Sequence, residues 1–173
     1  MSRVSHFSHV VATNDNWKIN DQTGQSQEAE IRATTIPPTN DLESAILATL
    51  SPGAYTAILA GKNGGTGVGL VEVYDLAQGA NSKLANISTR GFVDTGNNVM
   101  IGGLIVGGTG GGTARVLVRA LGPSIPVAGA LADQTYGNLS KSRAGRAVGW
   151  YPNMHPLPSR SGRDERMGSW SRN

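Results

Sequence analysis

The oxygen-rich segments near residues 14 and 41 offer the best-placed chemistry in this sequence. Asn14, Asp15 and Asn16 follow the short apolar run 9–12, while Asp41 and Glu43 stand just before another, 44–50. Amide and carboxylate oxygens on loops at strand ends are what a hard cation such as calcium takes, in numbers of six or more. The same residues have a plainer use. Asn and Asp bond their own backbone two residues on, so residues 14–16 can make an Asx turn while Asp41 and Glu43 border a strand. No D-x-D-x-D-G ladder is present, so any calcium held here is expected to be structural rather than catalytic.

Other constellations fall short of a site. A phosphate-binding loop needs Gly-Lys followed by Ser or Thr, yet Gly61-Lys62 is followed by Asn63, and the loop leads into a strand rather than a helix N-terminus. Gly122-Pro123-Ser124-Ile125-Pro126 echoes a nucleophile elbow but lacks its second Gly. His6, His9 and His155 lie outside the patterned core, which leaves no base placed for a nucleophile. Trp17, Tyr55, Tyr74 and Phe92 sit inside strand and turn phrases, where aromatics usually pack a core rather than form a sugar platform. The sequence assembles no acid, base and nucleophile set, and a non-catalytic role is the expectation.

Elements built of short strands must position these residues. With 24 Gly, only 16% charged residues and 38% apolar ones, the composition favours short strands and tight turns over long helices. No Cys is present, so there are no disulfides or thiolate metal sites. Nothing is long and apolar enough to span a membrane, and residues 1–10 carry no apolar core of a signal peptide. The net charge of +3 is uneven: residues 136–173 hold seven bases against two acids, and the remaining 135 hold eight against ten. The basic character therefore belongs to the tail, and no nucleic-acid-reading module accompanies it.

Period-two alternation bounded by turn residues predicts seven strands, near 9–12, 44–50, 54–60, 68–74, 84–89, 99–106 and 114–121. Ser26 is predicted to cap a helix of about two turns carrying Glu28, Glu30 and Ile31, stopped by Pro37-Pro38. Residues 61–67 read as a hairpin-type loop, 91–98 as holding the turn Asp94-Thr95-Gly96-Asn97, and Gly102-Gly103 as a bulge or a close backbone approach. The expected fold is an all-β antiparallel sandwich of jelly-roll type, covering residues 10–133 with one short helix. Residues 1–9 are an N-terminal extension. Residues 134–173 show neither strand nor helix period and are predicted to be a disordered basic tail.

Several phrases resemble a tandem-repeat module of large bacterial exported proteins. They include Thr13-Asn14-Asp15-Asn16-Trp17, Leu50-Ser51-Pro52-Gly53-Ala54-Tyr55-Thr56-Ala57, Val71-Glu72-Val73-Tyr74-Asp75-Leu76, Leu84-Ala85-Asn86-Ile87-Ser88-Thr89-Arg90-Gly91-Phe92-Val93 and Val118-Arg119-Ala120-Leu121-Gly122-Pro123-Ser124. Residues 13–76 are more loosely similar to bacterial pre-peptidase C-terminal domains. The resemblance implies a secreted or cell-surface sandwich with a structural or adhesive role. It places the back half of one repeat at 10–76 and the front half of the next at 84–133. Neither family supplies catalytic residues. The alternative expectation is a carbohydrate- or calcium-binding accessory module of a secreted enzyme.

After Asp133 the family pattern continues with a further strand, whereas this chain continues with its basic tail, as a frameshift or broken gene end would produce. A missing strand would leave a sheet edge open to a neighbouring repeat or a second copy.

Overall fold

Alternating side chains commit each strand to one buried face, and eight such strands arrange themselves as two layers. The computed structural model describes residues 9–77, 86–107 and 112–142. Its strands are β1 (His9–Asn14), β2 (Ser44–Leu50), β3 (Gly53–Gly61), β4 (Gly67–Asp75), β5 (Ile87–Val93), β6 (Met100–Val106), β7 (Ala114–Leu121) and β8 (Gln134–Lys141). The first sheet runs β1-β8-β3-β6 and the second β2-β7-β4-β5, with every pair antiparallel. This is jelly-roll order.

Tyr55, Ala57 and Leu59 of β3 meet Val71 and Val73 of β4 and Val116 and Val118 of β7 across the interior. Leu139 of β8 is fully buried in the same cluster. Every strand pair joins a strand before residue 77 to one after residue 86. The segments 10–76 and 84–133 therefore interlock, and among the described residues neither contains a paired β-ladder of its own.

The eighth strand corrects the expectation of disorder from residue 134 onward. Residues 134–141 form β8, which lies between β1 and β3 and pairs with both. A strand with ladders on both sides can be held by its neighbours with little apolar periodicity of its own, and this one brings Leu139 to the core. The sandwich accordingly extends past residue 133, and no gap opens a sheet edge there. The tail beyond residue 142 and the extension before residue 9 lie outside the described residues.

Smaller differences have local causes. The helix α1 spans only Glu28–Arg32, with Gln27 rather than Ser26 at its N-cap. It is over before Pro37 is reached, and Thr35 takes a positive φ of 66°. The fifth strand runs Ile87–Val93, later than the expected 84–89, and the expected turn at Asp94-Thr95-Gly96-Asn97 follows it. Residues 61–67 do not form a hairpin, because β3 and β4 lie in different sheets. Lys62–Gly64 is a 3-10 turn there, tight enough that a Cβ on Gly61 would sit 1.9 Å from the Gly65 carbonyl oxygen. The β3–β6 register is continuous through Gly102 and Gly103, which rules out a bulge. Nor is Gly102 a close backbone approach: a Cβ there would make only ordinary contact, 3.4 Å from the Val71 side chain.

The segment between β1 and β2 covers the outer face of the second sheet. Trp17 and Ile31 from that segment pack against Ala45 of β2 and Leu117 of β7, with Ile36, Leu47, Tyr74 and Leu76 around them. This second apolar cluster leaves the outer face of the first sheet without a comparable cover among the described residues.

Candidate functional site

Strand direction gathers the oxygen-bearing loops at one end of the sandwich. The connections β1–β2, β3–β4, β5–β6 and β7–β8 all turn there, while the entry at His9 and the exit at Ser142 lie at the other end. Asn14, Asp15, Asn16, Asp41, Glu43, Lys62 and Asp133 belong to the loop end.

The structure gives most of the expected calcium oxygens to protein donors. Asn14 is 1% exposed, and its Oδ1 accepts the Ala45 N–H at 2.9 Å. Its Nδ2 donates to the Ile19 carbonyl at 2.6 Å and to that of Asn16 at 3.3 Å. Asn14 thus closes its own turn and ties β1 of one sheet to β2 of the other. Glu43 is fully buried. Its Oε1 accepts the Gly122 and Ser124 N–H groups at 3.2 and 3.0 Å together with the Ser124 hydroxyl, and its Oε2 accepts the Asn40 N–H at 3.3 Å. The Gly122-Pro123-Ser124 phrase is therefore an anchor point, its hydroxyl donated to a carboxylate.

Asp15 and Asp41 make ion pairs instead. Asp41 meets Lys18 at 2.7 Å on the exposed rim. Asp15 meets Lys62 Nζ at 2.9 Å, and Asp133 approaches the same ammonium at 3.7 Å. Lys62 also donates its backbone N–H to the Asp133 carbonyl at 3.2 Å. Its side chain joins the ends of β1 and β3 to the start of β8. The bond from Asp15, followed by the charges of Asp15 and Asp133, raises the Lys62 pKa above its ordinary value. Asp21 accepts the Asp15 N–H at 3.0 Å, but desolvation, with the Asp15 charge adding to it, raises its own carboxyl pKa. Asp15 Oδ1, Asn16 Oδ1 and Asp133 Oδ1 are buried with no hydrogen-bond partner. Among the described residues, no group of three or more His, Cys, Asp or Glu side chains is placed to hold a metal ion.

A second polar constellation lies on the outer face of the second sheet. Arg119 donates to Glu72 through Nε at 3.1 Å and again through a terminal nitrogen, which also reaches the Tyr74 hydroxyl at 3.1 Å. The other terminal nitrogen donates to the Ile36 carbonyl at 2.8 Å, and the guanidinium lies 5.0 Å from the Tyr74 ring centroid. Desolvation raises the Tyr74 pKa, Arg119 opposing it and Glu72 reinforcing it. The constellation clamps the loop before Pro37 onto the sheet. Beside it, Ser88, Arg90 and Phe92 of β5 stand opposite Glu72, Leu70 and Val68 of β4.

Phe92 departs from the core packing expected of it. Trp17 and Tyr55 are buried as expected of core aromatics, but the Phe92 side chain is 63% exposed. Strand parity carried the signal: Ser88, Arg90 and Phe92 share one face of β5, and its two polar members mark that face as solvent-directed.

Fold and constellations together define a jelly-roll β-sandwich with buried polar staples at one end and an exposed aromatic on one face. No protein-family model matches the chain, and no curated protein or solved structure matches it. Among the described residues, no helix is long and apolar enough to cross a membrane.

Proposed function

We propose that this chain is a non-catalytic structural or adhesive module of a secreted or cell-surface protein. The observation that carries the reading is the pairing of His9 with Lys141 at the outer ends of adjacent strands. A chain entering at β1 and leaving at β8 does so from neighbouring positions at one end, so the sandwich hangs from its tether and presents its loop end outward. The oxygens of Asn14 and Glu43 support the same reading, because their bonds hold that loop end together. Protease treatment of intact source cells, followed by immunoblotting for this chain, tests the location. Cleavage without lysis is expected, and protection until lysis would overturn the proposal.

A second reading rests on Phe92. An exposed aromatic sharing one strand face with Arg90 and Ser88 has the make-up of a saccharide platform, in which a ring stacks on a sugar face and polar neighbours bond its hydroxyls. Screening the full chain on a glycan array separates the two. Saccharide binding that Phe92→Ala abolishes favours this reading, and an array without signal favours the first.

A further inference from the structure

Sheet edges invite pairing with other strands, and folded proteins ordinarily blunt them with bulges, charges or covering groups. Three of the four edges in this sandwich are blunted. The first, β1, carries a register shift between Val10 and Ala12. In β2 the Ala45 N–H is taken by the side chain of Asn14. The third, β5, displays Arg90.

The remaining edge, β6, carries none of these devices. Among the described residues it pairs with β3 alone, and its register runs unbroken from Met100 to Val106. No charged residue occurs anywhere between Asp94 and Arg115. Ile101 and Ile105 point outward from it at 44% and 73% exposure. Midway between them lies Gly103, where a Cβ would find nothing within 4 Å.

We propose that β6 is a self-association edge, through which two copies of this chain pair antiparallel about a twofold axis at Gly103. The strand is its own complement under that operation. Gly103 meets Gly103 of the second copy, and Ile101 of each copy stands opposite Ile105 of the other. Antiparallel pairing of two identical edges is isologous and closes at two copies. The lack of charge from residue 95 to residue 114 removes like-charge repulsion across the join. The outer face behind the edge is uncharged too, with Ala54 and Ile58 of β3 directly beside Ile105 and Ile101. One seven-residue edge with two Ile–Ile contacts falls below the roughly 1,200 Å² of a standard stable interface. The dimer is therefore reversible and of micromolar rather than nanomolar affinity.

Sedimentation equilibrium of the full chain across a wide concentration range provides the test. A monomer–dimer equilibrium is expected, and Ile105→Lys should raise its dissociation constant about tenfold or more by replacing two symmetric apolar pairs with unpaired charge. Because Ile105 is exposed, that variant should keep the circular dichroism spectrum of the parent. A second measurement uses the absence of Cys in the chain. Facing residues of an antiparallel pair have Cα atoms about 4.5–5.5 Å apart, within disulfide range. Gly103→Cys should give a covalent dimer on oxidation, while Thr95→Cys should not. A chain that stays monomeric throughout, or a dimer indifferent to Ile105→Lys, would overturn the proposal.

Discussion

Glu72 stands directly opposite Arg119 across the β4–β7 ladder, and both side chains are largely covered by the loop that precedes Pro37. The two side chains satisfy one another under that cover, and removing either strands the other. The pair is also the fastening of the loop, because the same guanidinium donates to the Ile36 and Pro37 carbonyls.

Arg119→Met should therefore destabilise the fold by about 3 kcal/mol, most of it the cost of an unpaired buried Glu72. The double variant Arg119→Met with Glu72→Leu should recover a large part of that loss, since apolar groups of similar size leave no charge uncompensated. Urea denaturation of the two single variants and the double one measures the coupling. Additive losses would show that the two side chains act independently.

Glu43 makes a sharper case for a structural carboxylate. Four donors converge on its two oxygens from the β7–β8 connection and from Asn40. Glu43→Ala would strand buried N–H groups and open a cavity, at a cost of about 3 kcal/mol or more. Glu43→Gln keeps one acceptor oxygen but turns an amide donor toward the Asn40 N–H, so its loss should be about half as large. A Glu43→Ala variant as stable as the parent would show that the bonds contribute nothing.

Strand periodicity made most of the sandwich legible. In β2, β3, β4 and β7 the apolar residues alternate between firm turn signals, and the observed bounds lie within a residue of those expected. The strand β8 was hidden because only partners on both sides reveal its place between β1 and β3. The same limit applies to the polar residues. Composition marked Asn14 and Glu43 as oxygen donors, but which donors they meet depends on β1 and β2 lying side by side in different sheets. Alternation placed Glu72 and Arg119 each on one face of its own strand. Their pairing became visible only with the β4–β7 register.

Asp21 should make stability depend on pH in the less familiar direction. Its carboxyl pKa is raised by desolvation and by the charge of Asp15, so around pH 4 the folded chain holds this proton more tightly than the unfolded chain does. The unfolded state thus ionises first as pH rises, and the folded state loses stability through that window and does not regain it above. Asp21→Asn removes the penalty while keeping an oxygen for the Asp15 N–H. Because Asp21 is exposed to solvent, the gain in melting temperature at neutral pH should be small, and it should vanish near pH 3. A gain that persists in acid would rule out ionisation as its source.

Calcium should leave the melting temperature unchanged, for a reason the hydrogen bonds supply. A structural calcium site needs six or more oxygens with free lone pairs. Among the five residues that composition singled out, Asn14 and Glu43 already direct their oxygens at buried N–H groups, and each bond would have to be given up for the ion. Asp15 and Asp41 would have to leave lysine partners. That leaves the unpaired Oδ1 atoms of Asp15 and Asn16, and even with that of Asp133 they fall short of the six oxygens an ion needs. Thermal unfolding with excess calcium and with a chelator should give one midpoint. A rise of several degrees with calcium alone, lost in an Asp15→Asn variant, would show that the loop end rearranges around the ion.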